Sequence, residues 1–151
     1  MKWILAPIDS HLEDIKTLFA KTEGHKHANN YSKWPLFQHT KFARMAWDSH
    51  LIYYSAGIER PEYNGSIRIM SRHTRDRQYN FGGLKADLAR GLETLDVSTS
   101  HAISLGYKDI WVSREENGKL LDYFQHRSKY DWIITQEEIP LGGIQWVLRL
   151  A

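Results

Sequence analysis

The stretch AISLGYKDIWVSREENGKLLDYF, residues Ala102–Phe124, decides the predicted fold. Gly106 follows the last apolar helix positions, where a residue that tolerates positive φ ends a helix at little cost. Ile110–Val112 is a short β-branched and aromatic run, which is typical of a strand. Ser113 is predicted to cap a second helix, because acidic residues follow it in what would be the first turn. This helix–strand–helix order indicates an α/β crossover unit, whose ligands bind at the carboxyl end of the strand, here Ser113–Asn117.

The order and spacing of this block resemble the GNAT acetyltransferases. In that family an alanine-bearing helix ends at a glycine, a strand follows, and an asparagine precedes a helix with an aromatic residue at its end. The matching positions are Ala102, Gly106, Ile110–Val112, Asn117 and Leu120. The family's usual tyrosine, seven residues after the asparagine, corresponds to Phe124, and Tyr123 stands one place early. The resemblance implies acetyl transfer from acetyl-CoA to an amine, with Asn117 as a cofactor contact or helix-start residue.

The composition limits the class of protein. The 151 residues are predicted to form one domain, 1–151. The absence of cysteine excludes disulfides, thiolate catalysis and cysteine-bound zinc. A net charge of +2 is too small to indicate nucleic-acid binding. Since no apolar stretch approaches the roughly 20 residues of a membrane span, and the N-terminus lacks a signal-peptide pattern, we expect a cytoplasmic protein without a membrane partner.

The remaining segments give an order of elements that matches the resemblance. In chain order they are a strand at Lys2–Pro7, a helix from the Ser10–Glu13 capping box to about Gly24, a loop at Gly24–His39, a short helix at Thr40–Trp47, strands at His50–Ala56 and Ser66–His73 joined at Asn64-Gly65, a helix at Glu93–Leu105, a helix at Glu116–Phe124, and strands at Trp132–Thr135 and Ile144–Leu150 joined at Gly142-Gly143. The fold expected is a single α/β domain with a mixed splayed sheet, flanking helices and a C-terminal β-hairpin. The resemblance places the pantetheine arm of the cofactor between the two parallel strands.

Two segments are candidates for the pyrophosphate of CoA. The resemblance implies a glycine-bearing loop that opens a helix, because free backbone N–H groups and the helix dipole attract phosphate. One register is Arg77–Gly83, in which Asn80 replaces a glycine and tolerates positive φ. Its candidate contacts are Arg77, Asn80, Gly82 and Gly83. The other register counts back about 15 residues from Gly106 and makes Ala89–Leu92 the cradle. Its candidate contacts are Arg90 and Gly91. A glycine-rich surface loop that binds nothing fits the same residues.

The candidates for the catalytic base lie outside any motif. The resemblance implies that the backbone at the end of strand Ser66–His73 binds the pantetheine and polarises the thioester, since N–H donors stabilise an oxyanion. The cofactor candidates there are Ser71, Arg72 and His73. Transfer to an amine also needs a base for the amine proton and an acid for the thiolate. The candidates for the base are Glu59, His73 and His101, and Tyr123 is the candidate acid beside Phe124. Each of these side chains could equally be a surface or core polar residue without a catalytic role.

A metal site is the least supported alternative. His25, His27 and His39 could supply three nitrogens to zinc, but Glu23 is the only acidic residue near them in the sequence, so we predict no metal. The leading interpretation is a CoA-dependent N-acyltransferase that uses acetyl-CoA as co-substrate. The alternative is a catalytically inactive GNAT-like module that binds a partner. The amine acceptor, small molecule or protein, is not identified by the sequence, and a homodimer is compatible with it.

Overall fold

The computed structural model describes residues 2–23, 38–114 and 118–151. The strands are β1 Ile4–Leu5, β2 Thr40–Trp47, β3 Leu51–Ile58, β4 Ile67–His73, β5 Ile110–Arg114, β6 Trp132–Ile139 and β7 Gly143–Leu150. The helices are α1 Leu12–Glu23, α2 Leu84–Ser104 and α3 Lys119–Arg127, with a 3₁₀ turn at Pro61–Tyr63. The strands form one mixed sheet in the order β1-β2-β3-β4-β5-β7-β6. This confirms the predicted α/β architecture.

The parallel strands β4 and β5 diverge toward their carboxyl ends. They pair in parallel at Ile67 with Ile110 and at Arg68 with Trp111. Beyond these two pairs β4 continues to His73 along β3, whereas β5 continues along β7. Helix α2 makes the crossover between them and ends at Gly106, whose φ is +91°. The splayed sheet and the glycine turn predicted from the sequence are therefore confirmed.

Segment Thr40–Trp47 is a strand, so the helix predicted there is wrong. Phe42, Met45 and Ala46 have helical spacing, but all three are buried within β2. A strand that is covered on both faces does not need alternating polar residues, so its apolar pattern can imitate a helix. The register of β2 against β3 is also irregular near Phe42, which weakens the period of two further.

Three predicted helix starts are displaced. Ser113 is not a helix cap, because it lies in β5 opposite Val147, and α3 begins only after Gly118. Helix α1 begins at Leu12, and the carbonyl of His11 accepts its first hydrogen bond, so the predicted Ser10 cap is one residue too early. Helix α2 begins nine residues before the predicted Glu93. The β3–β4 and β6–β7 hairpins are confirmed.

Helices cover both faces of the sheet. Ile15, Leu18 and Phe19 of α1 pack in one core cluster with β2 and β3. On the other face, α2 and α3 form a second cluster with β4, β5 and β7, which includes Leu95 and Leu121. All eight residues of β3 are consequently buried. None of the helices in the described ranges combines the length and the apolar character needed to cross a bilayer.

Candidate functional site

The end of β4 brings a histidine and an aspartate together beside the strand divergence. His73, the last residue of β4, places Nε2 2.7 Å from Oδ1 of Asp87 in the first turn of α2. The two side chains are 14% and 25% exposed. Burial lowers the pKa of His73, and Arg75 and Arg90 lower it further, although Asp87 acts in the opposite direction. The imidazole is therefore neutral at pH 7, and it is able to accept a proton.

Gly91 lets helix α2 approach this histidine and an aromatic ring closely. A Cβ at Gly91 would lie 3.3 Å from Cζ of Phe124 and 3.6 Å from Cε1 of His73. A glycine inside a helix costs about 1 kcal/mol relative to alanine, so this position is explained by the close approach. His73, Gly91 and Phe124 thus converge at one point, which we call the convergence point.

The two aromatic residues near the end of α3, Tyr123 and Phe124, differ in burial. Phe124 is 7% exposed and its ring tip faces Gly91. Tyr123 is half-buried, and the guanidinium of Arg127 lies 5.8 Å from its ring centroid. The two rings are T-shaped with centroids 6.0 Å apart. It is therefore Phe124, rather than the candidate acid Tyr123, whose ring reaches the convergence point.

Free backbone donors lie at the start of α2. Gly82 and Gly83 precede the helix, and Gly83 has a φ of +70°. The N–H of Asp87 already donates to the carbonyl of Gly83, which leaves the earlier N–H groups of the first turn without helical acceptors. The alternative cradle Ala89–Leu92 lies inside the helix, where its N–H groups bond to carbonyls of the preceding turn. Of the two registers, only Arg77–Gly83 opens a helix.

The start of α2 projects beyond the sheet. Gly91, which faces the end of β4, is eight residues after Gly83, so the start of the helix lies about 12 Å farther along its axis. Phe81 and Leu84 at this tip are 85% and 74% exposed. A cofactor phosphate bound there would therefore lie at a distance from the convergence point rather than directly on it.

A polar network fixes the first turns of α2 to the sheet. Arg90 donates to the hydroxyl of Tyr53, and its Nη2 lies 3.3 Å from the carbonyl oxygen of Tyr79. Glu93 accepts from Tyr53, at 3.3 Å, and from Nε1 of Trp3, at 3.2 Å. Burial, followed by the nearby Glu93, raises the pKa of Tyr53 to about 12. In the structure Arg90 thus holds the helix and the preceding loop in place.

Two loop and strand candidates also have structural contacts. Asn80 is buried and donates from Nδ2 to the carbonyl of Thr74 at 2.8 Å, so it shapes the loop before α2. Arg72 lies over the Phe19 ring of α1, 5.3 Å from its centroid, which is the face opposite to α2. Burial lowers the pKa of Arg72 to about 10, with smaller effects of Arg114 and Arg75. Ser71 is half-buried and Arg77 is exposed.

Glu59 lies at the opposite end of the sheet from His73. It follows Ile58, which pairs with Arg68, whereas His73 pairs with Tyr53. Five residues of strand separate the two ends, or about 17 Å. Glu59 accepts a hydrogen bond from Tyr107, and burial together with Glu59 raises the pKa of that tyrosine to about 12. An open surface cleft of about 470 Å³ lies at this end, lined by Lys41, Gly65, Leu105, Gly106, Tyr107 and Lys108.

The remaining candidates lie elsewhere or outside the described residues. Asn117, His25 and His27 fall outside the described residues. His101 lies on α2 with its ring 4.5 Å from that of Phe42, far from the start of the helix. Among the described residues, no group of three or more His, Asp or Glu side chains is placed to hold a metal ion.

Sequence reasoning missed Asp87 and the role of Gly91. The two residues are four positions apart, so they share one face of a helix. If the predicted helix had begun at Leu84 instead of Glu93, this spacing would have placed Asp87 one turn before Gly91, on the face that meets the sheet. No local signal in the sequence connects His73 with Asp87, because they are 14 residues apart.

Comparison with known proteins identifies the fold through structure rather than sequence. No protein-family model matches the chain, and no curated protein matches it significantly. A Desulfovibrio desulfuricans structure assigned to the GNAT acetyltransferase family has a TM-score of 0.66 at 12% identity, covering 99% of this chain and 97% of that one. The ribosomal-protein-alanine N-acetyltransferase of Brucella melitensis has a TM-score of 0.62 at 11% identity, covering 100% and 99%.

The PaiA N-acetyltransferase of Thermoplasma acidophilum, solved in complex with coenzyme A, has a TM-score of 0.62 at 11% identity, with complete coverage of both chains. These similarities extend over the whole chain, and the diverging parallel strands joined by a crossover helix are what the sequence resemblance predicted. At such low identity they establish the architecture alone. The chain has the fold of the GNAT acetyltransferases.

Proposed function

We propose that the chain is a CoA-dependent N-acyltransferase, which transfers the acetyl group of acetyl-CoA to an amine by direct attack. The divergence of β4 from β5 carries this proposal. Beyond Arg68 the edge of β4 toward β5 is not paired with a strand. Because the N–H of Ile67 points toward β5, the backbone groups of Ile69, Ser71 and His73 face the same edge, where a ligand can reach them. A backbone N–H on this edge can stabilise the oxyanion that forms when an amine attacks the thioester.

The other parts of the proposed site follow from the same geometry. The free N–H groups of the first turn of α2 would hold the pyrophosphate, with Lys85 beside it. The N–H of Gly83 is not one of these donors, because it already bonds to the carbonyl of Asn80 at 2.9 Å. Ser71 and His73 would contact the pantetheine through their backbone, and His73 is the proposed base. Glu59 is not proposed as the base, because it lies at the other end of the sheet. The acceptor class proposed is an amine, since one structural neighbour acts on an alanine of ribosomal proteins.

Acetyl-CoA is expected to stabilise the folded chain. A ligand that binds only the native state raises the free energy of unfolding by about 2.7 kcal/mol at a hundredfold excess over Kd. The melting temperature should therefore rise with acetyl-CoA, and titration calorimetry should give a single-site isotherm. An unchanged melting curve together with no heat of binding would contradict the proposed cofactor.

The position of the phosphate is tested by reversing one charge. Lys85 is exposed in the first turn of α2, so Lys85→Glu should weaken CoA binding about tenfold by placing a carboxylate near the pyrophosphate. Lys108→Glu is the matched control, because Lys108 is also exposed but lies at the opposite end of the sheet. Equal affinities of the two variants in calorimetry would show that the start of α2 does not hold the phosphates.

A second candidate function is binding without turnover. One observation favours it: the ring at the convergence point is Phe124, which has no proton to donate. A chain of this kind would bind CoA or a partner protein and transfer nothing. A panel of amines comprising a peptide with N-terminal alanine, a polyamine and an aminoglycoside distinguishes the two functions. Thiol release with any of them supports the enzyme.

A further inference from the structure

Two side chains meet at the convergence point: His73 can be protonated, and Phe124 cannot. The three heavy atoms nearest to a Cβ at Gly91 belong to Phe124 and His73. Transfer of an acyl group from sulfur to nitrogen requires that the amine nitrogen lose a proton and that the sulfur gain one. Phe124 can do neither, whereas an imidazole can do both in succession.

Asp87 fixes which ring nitrogen of His73 is available. Its Oδ1 lies 2.7 Å from Nε2, so in the neutral ring Nε2–H donates to the carboxylate and Nδ1 carries the lone pair. Because Asp87 belongs to α2 and His73 ends β4, this hydrogen bond also fixes the orientation of the ring between the helix and the strand. A carboxylate behind an imidazole stabilises the imidazolium that forms transiently.

We propose, on the basis of the proposed acyl transfer, that His73 moves the proton from the amine to the departing sulfur, with Asp87 as its positioning residue. Nδ1 takes a proton from the amine nitrogen as the N–C bond forms to the thioester carbon. The tetrahedral intermediate then collapses, the C–S bond breaks, and the same proton passes from Nδ1 to sulfur. The products are an amide and the thiol of CoA, and the imidazole returns to its neutral form.

The charges around His73 agree with this role. Arg75 from the loop and Arg90 from α2 favour the neutral ring, as does burial, whereas Asp87 favours the imidazolium. The opposing effects leave a base that is neutral at pH 7 and a conjugate acid that gives its proton up readily.

The experiment measures thiol release from acetyl-CoA with a responsive amine for His73→Gln and Asp87→Asn, from about pH 5 to pH 9. His73→Gln should lower kcat/KM by about 10²–10⁴-fold, with the affinity for acetyl-CoA retained. Asp87→Asn should lower kcat/KM and move the acidic limb of the profile to lower pH, because Asp87 raises the pKa of His73. His126→Gln is the control, since His126 forms an exposed pair with Asp122 on α3 and should leave the profile unchanged.

A second variant distinguishes the loss of a proton carrier from misfolding. His73→Ala leaves a cavity at the convergence point, so added imidazole should restore part of its activity if the missing group is a proton carrier. His73→Gln activity within threefold of the parent would overturn the proposal, as would an acidic limb that Asp87→Asn does not move. A parent that binds acetyl-CoA but releases no thiol with any amine refutes the proposed turnover, and the proton transfer with it. A parent that does not bind acetyl-CoA refutes the cofactor itself.

Discussion

Replacing Trp111 with alanine is expected to lower the free energy of unfolding by about 3–5 kcal/mol, the range for deleting a large core aromatic. Trp111 is 1% exposed and lies opposite Arg68 at the last pair before β4 and β5 diverge. Its Nε1 donates to Oγ of Ser66 at 2.9 Å, and its ring meets that of Tyr63 at a centroid distance of 5.0 Å. The guanidinium carbons of Arg68 and Arg149 each lie 5.5 Å from the ring centroid.

Urea unfolding checks this expectation, because a change in midpoint at constant slope reports stability. Trp111→Phe keeps one aromatic ring and loses the indole N–H, so it should cost about 1–3 kcal/mol by leaving Ser66 without its donor. Ser66→Ala should cost at least as much, because it removes both the acceptor of this bond and the hydroxyl that donates to the carbonyl of Tyr63 at 2.8 Å. A loss below about 1 kcal/mol for Trp111→Ala would show that the start of the divergence is held by backbone pairing rather than by this side chain.

The fold was predictable where the local signals agreed. Gly106, with its positive φ, and the run Ile110–Val112 each indicate one conformation, and both predictions are confirmed. The Asn64-Gly65 turn likewise fixed the β3–β4 hairpin, since both residues have positive φ. The helix prediction for Thr40–Trp47 failed because this strand is buried on both faces. Tertiary packing determines that burial, and the spacing of apolar residues in the sequence does not reveal it.

The candidate site was less predictable, because it depends on how far α2 extends. Gly91 suggested a loop, since glycine is unfavourable inside a helix, yet the structure uses it for close packing against Phe124 and His73. The separation of Glu59 from His73 could have been deduced. In the predicted hairpin Glu59 lies beside the Asn64-Gly65 turn, whereas His73 lies at the opposite end. Pairing the two strands outward from that turn would therefore have shown that Glu59 and His73 cannot share a site.

The last prediction concerns the residue that the family resemblance aligns with a tyrosine. Phe124→Tyr is expected to raise acetyl transfer to a responsive amine, by up to about 10²-fold, the lower end of a general acid's contribution. The new hydroxyl would be attached at Cζ, which approaches Gly91 beside Cε1 of His73. The helix residue that faces it is Gly91, which has no side chain, and the imidazole offers a hydrogen-bond partner. The parent can already react without this acid, because His73 is proposed to protonate the sulfur, and thiol pKa values near 8.5 make CoA a tolerable leaving group.

Tyr123→Phe is the matched control, since Tyr123 is the neighbouring ring on α3 and its own ring does not face Gly91. It should change kcat/KM by less than about twofold. If Tyr123→Phe abolishes transfer and leaves CoA binding intact, then Tyr123 is the acid and the orientation of α3 in the working enzyme differs from that described. Combining Phe124→Tyr with His73→Gln sharpens the comparison, because two residues that supply the same proton are not additive. The gain from Phe124→Tyr should therefore be larger in the His73→Gln background than in the parent, and equal gains would mean that the two positions act on different steps.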